Sequence, residues 1–83
     1  MTLTQISARI RKDGISAEVR GSGRAEFVFA KSAHGAVELS EKGDGIFWLE
    51  YWEPGDEAPT KDKDIPDADL AIRDTELWLA GER

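Results

Sequence analysis

Residues 45–53 read GIFWLEYWE and contain four of the seven aromatic residues of the chain. Aromatic and β-branched residues favour a β-strand, in which successive side chains point to opposite faces of the sheet. One face of this strand carries large apolar side chains, those of Phe47, Leu49 and Tyr51. The opposite face receives Trp48 and Trp52, with Glu50 between them. The stretch therefore predicts a strand with aromatic residues on both faces.

Apolar and polar residues also alternate along much of the sequence before this strand, in runs separated by glycine-containing turns. Loops at residues 13–14, 21–23, 31–35 and 42–44 keep the apolar residues of every run on one face. This choice of loops predicts a five-stranded antiparallel meander over residues 1–53. Its core face takes the apolar residues of neighbouring strands, which are Phe27, Phe29, Val37, Leu39, Phe47 and Leu49.

The first element, residues 2–13, fits two structures. An alternating apolar run followed by the pair Asp13-Gly14 predicts a strand and the type I′ turn of a β-hairpin. Thr2 and Gln5 instead have the spacing of a helix capping box. The β-branched isoleucines of the run favour the strand. The helix remains the alternative, and it changes the element order to αββββα.

The alternation stops after Trp52. Residues 54–66, PGDEAPTKDKDIP, are rich in proline and charge, and they predict an exposed acidic loop. Residues 67–81 predict a helix whose apolar side carries Leu70, Leu77 and Trp78. This helix covers one face of a four- to five-stranded sheet. The result is a two-layer α+β fold in a single domain of residues 1–83.

The composition excludes several classes of protein. The 83 residues include no cysteine, which excludes a disulfide framework and a thiolate nucleophile. No run approaches the length of a membrane span, and the N-terminus lacks the apolar core of a signal peptide, so we expect a cytoplasmic protein. Residues 53–83 account for the net charge of −6, with four basic against ten acidic side chains. Such a surface repels nucleic acid and membranes and attracts basic partners.

The tryptophans of residues 45–53 are the main candidates for a binding site. Because one helix covers only one face, we expect both on the uncovered face of the sheet, where exposed tryptophan is typical of a contact site. The predicted register places Glu38 opposite Trp48, and Val28 opposite Glu38. The candidate partner-binding residues are Trp48, Trp52, Glu50, Glu38, Val28 and Glu26. The candidates for electrostatic steering of the partner are Asp56, Glu57, Asp62, Asp64, Asp67 and Asp69.

Catalytic and metal-binding residues are scarce. His34 is the only histidine, and no serine stands beside it at a motif spacing. Residues 62–69, DKDIPDAD, suggest a calcium loop, but an EF-hand requires glycine at the sixth position and glutamate at the twelfth. Asp67 and Arg73 occupy those positions here. We therefore expect a non-enzymatic protein with no cofactor and no metal.

These features favour a protein whose acidic, tryptophan-bearing face docks a basic protein. Inhibitors of nucleic-acid-handling proteins, such as toxin-immunity proteins and phage inhibitors of host defence nucleases, are of this physical type. One alternative is a homodimer that stacks two uncovered faces. Another is a single-strand nucleic-acid binder, which the glutamates around the tryptophans disfavour. In a last alternative the N-terminal segment or residues 54–66 cover the tryptophans and bury them as a second core.

Overall fold

The computed structural model describes residues 1–82, which form two α-helices and five strands around one hydrophobic core. The strands make an antiparallel meander in the order β1-β2-β3-β4-β5, so the α+β, two-layer prediction is confirmed. Both helices pack on the same face of the sheet, and α1 also contacts α2. In chain order the elements are α1 (Leu3–Lys12), β1 (Ser16–Arg20), β2 (Phe27–Ser32), β3 (Gly35–Gly43), β4 (Ile46–Trp52), β5 (Lys61–Ile65) and α2 (Ala68–Leu79).

The first element is a helix, so the preference for a strand over residues 2–13 was wrong and the alternative was right. Both halves of the capping box are present at its start. The Gln5 amide donates to Thr2 Oγ1 at 3.1 Å, and the Thr2 amide donates to Gln5 Oε1 at 2.8 Å. Ile6 and Ile10, one turn apart, are fully buried in the core. The capping bonds and this buried stripe outweigh the modest strand preference of isoleucine.

The pair Asp13-Gly14 ends α1 instead of turning a hairpin. Gly14 has a φ of 89°, in the left-handed region that glycine adopts without strain. Its amide donates to the Arg11 carbonyl at 2.9 Å, and the Ile15 amide donates to the Ile10 carbonyl at 3.3 Å. This pair of bonds is the Schellman arrangement of a helix C-terminus. The Asp-Gly signal was therefore real, but it marked the end of a helix.

The type I′ turn occurs at another Asp-Gly pair, between β3 and β4. Asp44 and Gly45 both have positive φ angles, of 54° and 74°. Gly43 pairs with Ile46 across this two-residue turn, and the register shifts between Glu41 and Gly43. The three-residue loop expected at 42–44 is therefore replaced by a tighter turn with a bulge beside it.

Strand β2 has the opposite parity from the one predicted. Val28 pairs with Leu39, and Ala30 with Ala17, and all four side chains are buried beneath the helices. Val28 is 0% exposed, so its assignment to the partner-binding face was wrong. The phenylalanines expected in the core, Phe27 and Phe29, lie on the other face and are partly buried.

Turn lengths caused this error. Only Ala33 and His34 separate β2 from β3, where the prediction had a five-residue loop. A 3₁₀ turn at Gly23–Ala25 lengthens the preceding connection. Because side-chain direction has a period of two, a shift of one residue moves a whole strand's side chains to the other face.

The fifth strand lies at the C-terminal edge of the sheet, within the segment predicted as a loop. β5 pairs with β4, so the loop prediction for residues 54–66 was wrong for its second half. The charges of β5 alternate in sign: Lys61 and Lys63 point towards α2, and Asp62 and Asp64 point away from it. A charged edge strand of this kind resists pairing with another chain.

Helix α2 begins at a carboxylate cap, where the Leu70 amide donates to Asp67 Oδ2 at 2.9 Å. Leu70 and Leu77 are 55% and 42% exposed, so their predicted place on the core side was wrong, whereas Trp78 is buried as expected. The core side of the helix is formed by Ala71, Ile72, Thr75, Trp78 and Leu79.

Candidate functional site

The face of the sheet opposite the helices is uncovered, and we call it the open face. Along β4 the buried residues are Phe47, Leu49 and Tyr51, while the residues between them are partly exposed. Trp48 and Trp52 therefore lie on the open face with Glu50 between them, as the alternation of β4 predicted. Neither the N-terminal segment nor residues 54–66 bury these indoles, because α1 packs on the other face and both tryptophans stay partly exposed.

A row of acidic side chains crosses the centre of the open face. Glu38 on β3 pairs with Glu50 on β4, and Glu50 pairs with Asp62 on β5. We call Glu38, Glu50 and Asp62 the acidic row. The expected neighbour of Trp48 was Glu38, but the observed register puts Ser40 opposite Trp48. The acidic row consequently runs between the two tryptophans.

The environment of Glu38 penalises its charge. Burial raises the pKa of this carboxyl above its usual 4.5, and the negative charge of Glu50 raises it further. The guanidinium of Arg20 acts in the opposite direction and lowers the pKa of Glu38. A positive charge brought to this part of the face would favour the ionised carboxylate for the same reason.

Trp48 is held in place by the acidic row. Its indole Nε1 donates to Asp62 Oδ2 at 2.9 Å. The next aspartate of β5, Asp64, pairs with Trp48 across the strands and accepts from Lys42 Nζ at 3.0 Å. Asp62 and Asp64 were predicted only to steer a partner, yet they also form the border of the open face.

Trp52 lines a shallow depression of about 430 Å³ on the open face. Ala36 lies opposite Trp52 and leaves room beside the indole, and Phe29 and Glu38 form the adjoining wall. The backbone behind the indole is fixed from the helix side, because Trp78 Nε1 donates to the Trp52 carbonyl at 3.0 Å. The segment after β4 completes the depression with Glu53, Pro54, Gly55 and Asp56.

A second depression, of about 220 Å³, lies beside Trp48. Glu38 lines both depressions, and Glu50 lines the second. Glu26, which precedes β2, is exposed and contributes to the second depression, so the predicted residue does lie near Trp48. The remaining walls are Arg24, Ala25, Phe27 and Ser40.

The first two strands add an aromatic and a basic group to the open face, those of Phe29 and Arg20, although Phe29 was expected in the core. Phe29 pairs with Glu18 on one side and with Glu38 on the other. The guanidinium carbon of Arg20 lies 4.0 Å from the centre of the Phe29 ring. Arg20 Nε also donates to Glu18 Oε1 at 2.7 Å. An arginine stacked on a ring and bonded to a carboxylate is thus already part of this face.

The other predicted steering residues have mixed positions. Asp56 accepts from the Thr60 hydroxyl at 2.9 Å and orders the connection between β4 and β5, in which Glu57 is exposed. Asp67 caps α2, and Asp69 lies in its first turn, where the helix dipole favours a negative charge. Unlike Asp62 and Asp64, neither of these two belongs to a sheet strand.

His34 lies in the turn between β2 and β3. Its amide donates to Ser32 Oγ at 3.0 Å, and a Cβ at Gly81 would lie 3.1 Å from His34 Nδ1. The side chain therefore packs against the end of α2. Among residues 1–82, no group of three or more histidine or acidic side chains is placed to hold a metal ion. None of the helices formed by these residues is long and apolar enough to cross a membrane.

Comparisons with known proteins give no relative for this chain. No family model matches it, and searches of the curated proteins and of the solved structures return no significant match. The function proposed below is therefore supported by the residues of the open face alone.

Proposed function

We propose that this chain is a non-enzymatic binding protein that docks a basic protein partner on its open face. The observation that carries the proposal is the position of the acidic row between Trp48 and Trp52, on a face that neither helix covers. Half-buried indoles supply apolar contact area, and the carboxylates supply charge complementary to lysine and arginine.

The free protein is under electrostatic strain at this site, which supports a cationic occupant. Glu38 and Glu50 lie directly opposite each other, and like charges in this position destabilise a sheet. A cation placed over them removes the repulsion at the moment of binding. The surrounding carboxylates accelerate encounter with a basic surface, and the aromatic anchors slow its release.

The class of partner follows from the same chemistry. A basic protein that handles nucleic acid binds phosphates with lysine and arginine side chains. Carboxylates held in a row offer those side chains an alternative to phosphates and would block nucleic-acid binding. We therefore place the protein with inhibitors of such partners, of the toxin-immunity or phage anti-defence kind.

The two alternative functions fit the open face less well. In a homodimer that stacks two open faces, Glu38, Glu50 and Asp62 would meet the same carboxylates of the second copy, which disfavours the contact. A nucleic acid that stacked its bases on Trp48 or Trp52 would bring its phosphates close to the acidic row.

The test compares two double variants. Trp48→Ala/Trp52→Ala removes the anchors of the open face, and Leu70→Ala/Leu77→Ala removes two apolar residues of α2 that are more exposed than the tryptophans. A cooperative thermal unfolding transition first shows that each variant is folded. Each variant is then used at low and at high salt to capture basic proteins from the native lysate. We expect only the first to lose the partner, and we expect high salt to release the partner from the parent protein.

Two results would contradict the proposal. One is equal capture by both double variants, and the other is a parent protein that is dimeric at low micromolar concentration in sedimentation experiments and loses its dimer in Trp48→Ala/Trp52→Ala. The second result would favour the homodimer.

A further inference from the structure

The open face already contains one bound guanidinium, that of Arg20. It stacks on Phe29 at 4.0 Å and makes a paired contact with Glu18 Oε1, through Nε at 2.7 Å and through Nη2 at 2.6 Å. The contact therefore combines an aromatic surface with a carboxylate. The same two elements, a ring and carboxylates, recur at Trp48 and Trp52 beside Glu38 and Glu50, with Arg24 at the wall of the depression beside Trp48.

We infer that the open face recognises arginine, in preference to lysine, on its protein partner. Trp48 and Trp52 would provide the stacking surfaces, and Glu38 and Glu50 would accept the hydrogen bonds. This inference rests on the proposed function and specifies which basic residue the site selects.

Arginine and lysine differ in their ability to stack on a ring and bind carboxylates at the same time. A guanidinium is planar and weakly hydrated, so it stacks on a ring and at the same time directs several N–H groups to carboxylate oxygens. An ammonium is a compact, strongly hydrated charge that gains mainly Coulomb energy. Both would be attracted to the acidic row, but only arginine would make full use of an indole with carboxylates beside it.

The two depressions indicate two arginine positions. Each is lined by one tryptophan, and Glu38 lines both. Trp48 and Trp52 are four residues apart on β4, which corresponds to about 13 Å at the rise of a strand. An extended partner segment spans the same distance between residues four apart, whose side chains point the same way. The site therefore fits a segment with two arginines separated by three residues.

The site is ordered before the partner arrives. The bond to Asp62 orients the Trp48 indole, and the bond from Trp78 fixes the backbone at Trp52. Pre-ordered side chains lose less conformational entropy on binding.

Two basic residues repel a cationic occupant, because Lys31 lines the larger depression and Arg24 the smaller one. Removing either charge should tighten the binding of arginine.

The experiment titrates the folded protein with three acetylated and amidated peptides, Arg-Thr-Ser-Thr-Arg and its counterparts with lysine or citrulline at both ends. Citrulline keeps the planar shape and lacks the charge. The readout is the indole N–H resonances of Trp48 and Trp52, with that of Trp78 on the helix side as a reference. We expect the arginine peptide to shift both open-face indoles and to bind about tenfold more tightly than the lysine peptide.

The outcomes separate this inference from the proposed function. The inference is supported if the arginine peptide binds more than about threefold more tightly than the lysine peptide. This preference should decrease in Glu38→Gln. In Lys31→Gln it should persist, and the arginine peptide should bind more tightly than it does to the parent protein. The inference is overturned if both indole resonances shift but the preference for arginine is below about threefold, or if Glu38→Gln leaves that preference unchanged. Either result still leaves a basic partner on the open face. If neither charged peptide shifts the two indoles, the proposed function fails as well.

Discussion

Glu38 lies directly opposite Glu50 on neighbouring strands, in the middle of the open face. Burial and the facing carboxylate raise the pKa of Glu38, so the ionised pair is unfavourable in the free protein. Binding of a cation would offset this repulsion and favour the ionised carboxylates. If the proposed function holds, the residues that would bind the basic partner are also residues that weaken the isolated fold, a known conflict between stability and function.

Glu38→Gln should raise the free energy of unfolding at neutral pH by about 0.5 kcal/mol, because the amide keeps the size of the side chain and removes the repulsion from Glu50. The folded pKa of Glu38 lies above its unfolded value, so its charge destabilises the protein as pH rises through that raised pKa. The variant should consequently depend less on pH in the acidic range. Urea unfolding at acidic and neutral pH measures both effects. Glu57→Gln, on the exposed connection after β4, is the control, and a destabilised Glu38→Gln would refute the interpretation.

The end of α1 offers a test of the helical assignment. Gly14 has a φ of 89°, and a Cβ built there meets no atom within 4 Å. Gly14→Ala should therefore lower the free energy of unfolding by about 1 kcal/mol through backbone strain alone. Gly81→Ala is the matched comparison at the end of α2. There a similar φ of 82° is combined with a contact of 3.1 Å to His34 Nδ1, so the loss should be larger. Urea unfolding measures both. No loss in Gly14→Ala would contradict the helix end described here.

The strand that carries the tryptophans could be predicted because its two faces are unambiguous. Phe47, Leu49 and Tyr51 are apolar on one side, and Glu50 marks the other side as partly solvated. The run in β2 has no such marker, since the four consecutive residues from Phe27 to Ala30 are all apolar and both faces of the strand look alike. Its parity depended on turn lengths, which a sequence indicates poorly when several glycines are available.

The same ambiguity determined how much of the site was found. Trp48, Trp52 and Glu50 followed from β4 alone, and Glu38 lies on the open face although its predicted partner was wrong. The stacked pair of Arg20 and Phe29 needs the true register of β2 and therefore escaped prediction. Strand β5 was not predicted because its residues alternate in charge sign and not between apolar and polar.

Tyr51 links β4 to α2 beneath the site. Its buried hydroxyl donates to Asp74 Oδ2, and its ring meets Trp78 edge to face at 5.2 Å. Tyr51→Phe should lower the free energy of unfolding by about 1 to 2 kcal/mol, because a hydrogen bond to a carboxylate is lost. Asp74→Asn keeps an acceptor for the hydroxyl and should lose less. Urea unfolding of the two variants provides the comparison. If Tyr51→Phe leaves the free energy of unfolding unchanged, this hydrogen bond contributes nothing to stability.

A second pair of carboxyl groups lies away from the open face, where α2 meets the end of α1. Glu76 lies close enough to Asp13 for the two carboxyl groups to interact, and Glu76 Oε2 is buried without a hydrogen-bond partner among the described residues. Burial, followed by the interaction with Asp13, raises the pKa of Glu76 from 4.5 to about 7, although Arg9 partly offsets this rise. The folded protein therefore retains a proton on Glu76 under conditions where the unfolded chain has released it.

This difference in proton binding sets the pH dependence of stability. Between about pH 4.5 and pH 7 the folded state binds more protons at Glu76 than the unfolded state, so the free energy of unfolding should fall as pH rises through this window. Glu76→Gln cannot titrate, and its stability should change less across the same window. Urea unfolding at a series of pH values compares the two proteins, with Glu82→Gln near the end of α2 as the control. A fall of equal size in Glu76→Gln would mean that another group releases the proton, and that the contact between the helices tolerates the ionised carboxylate.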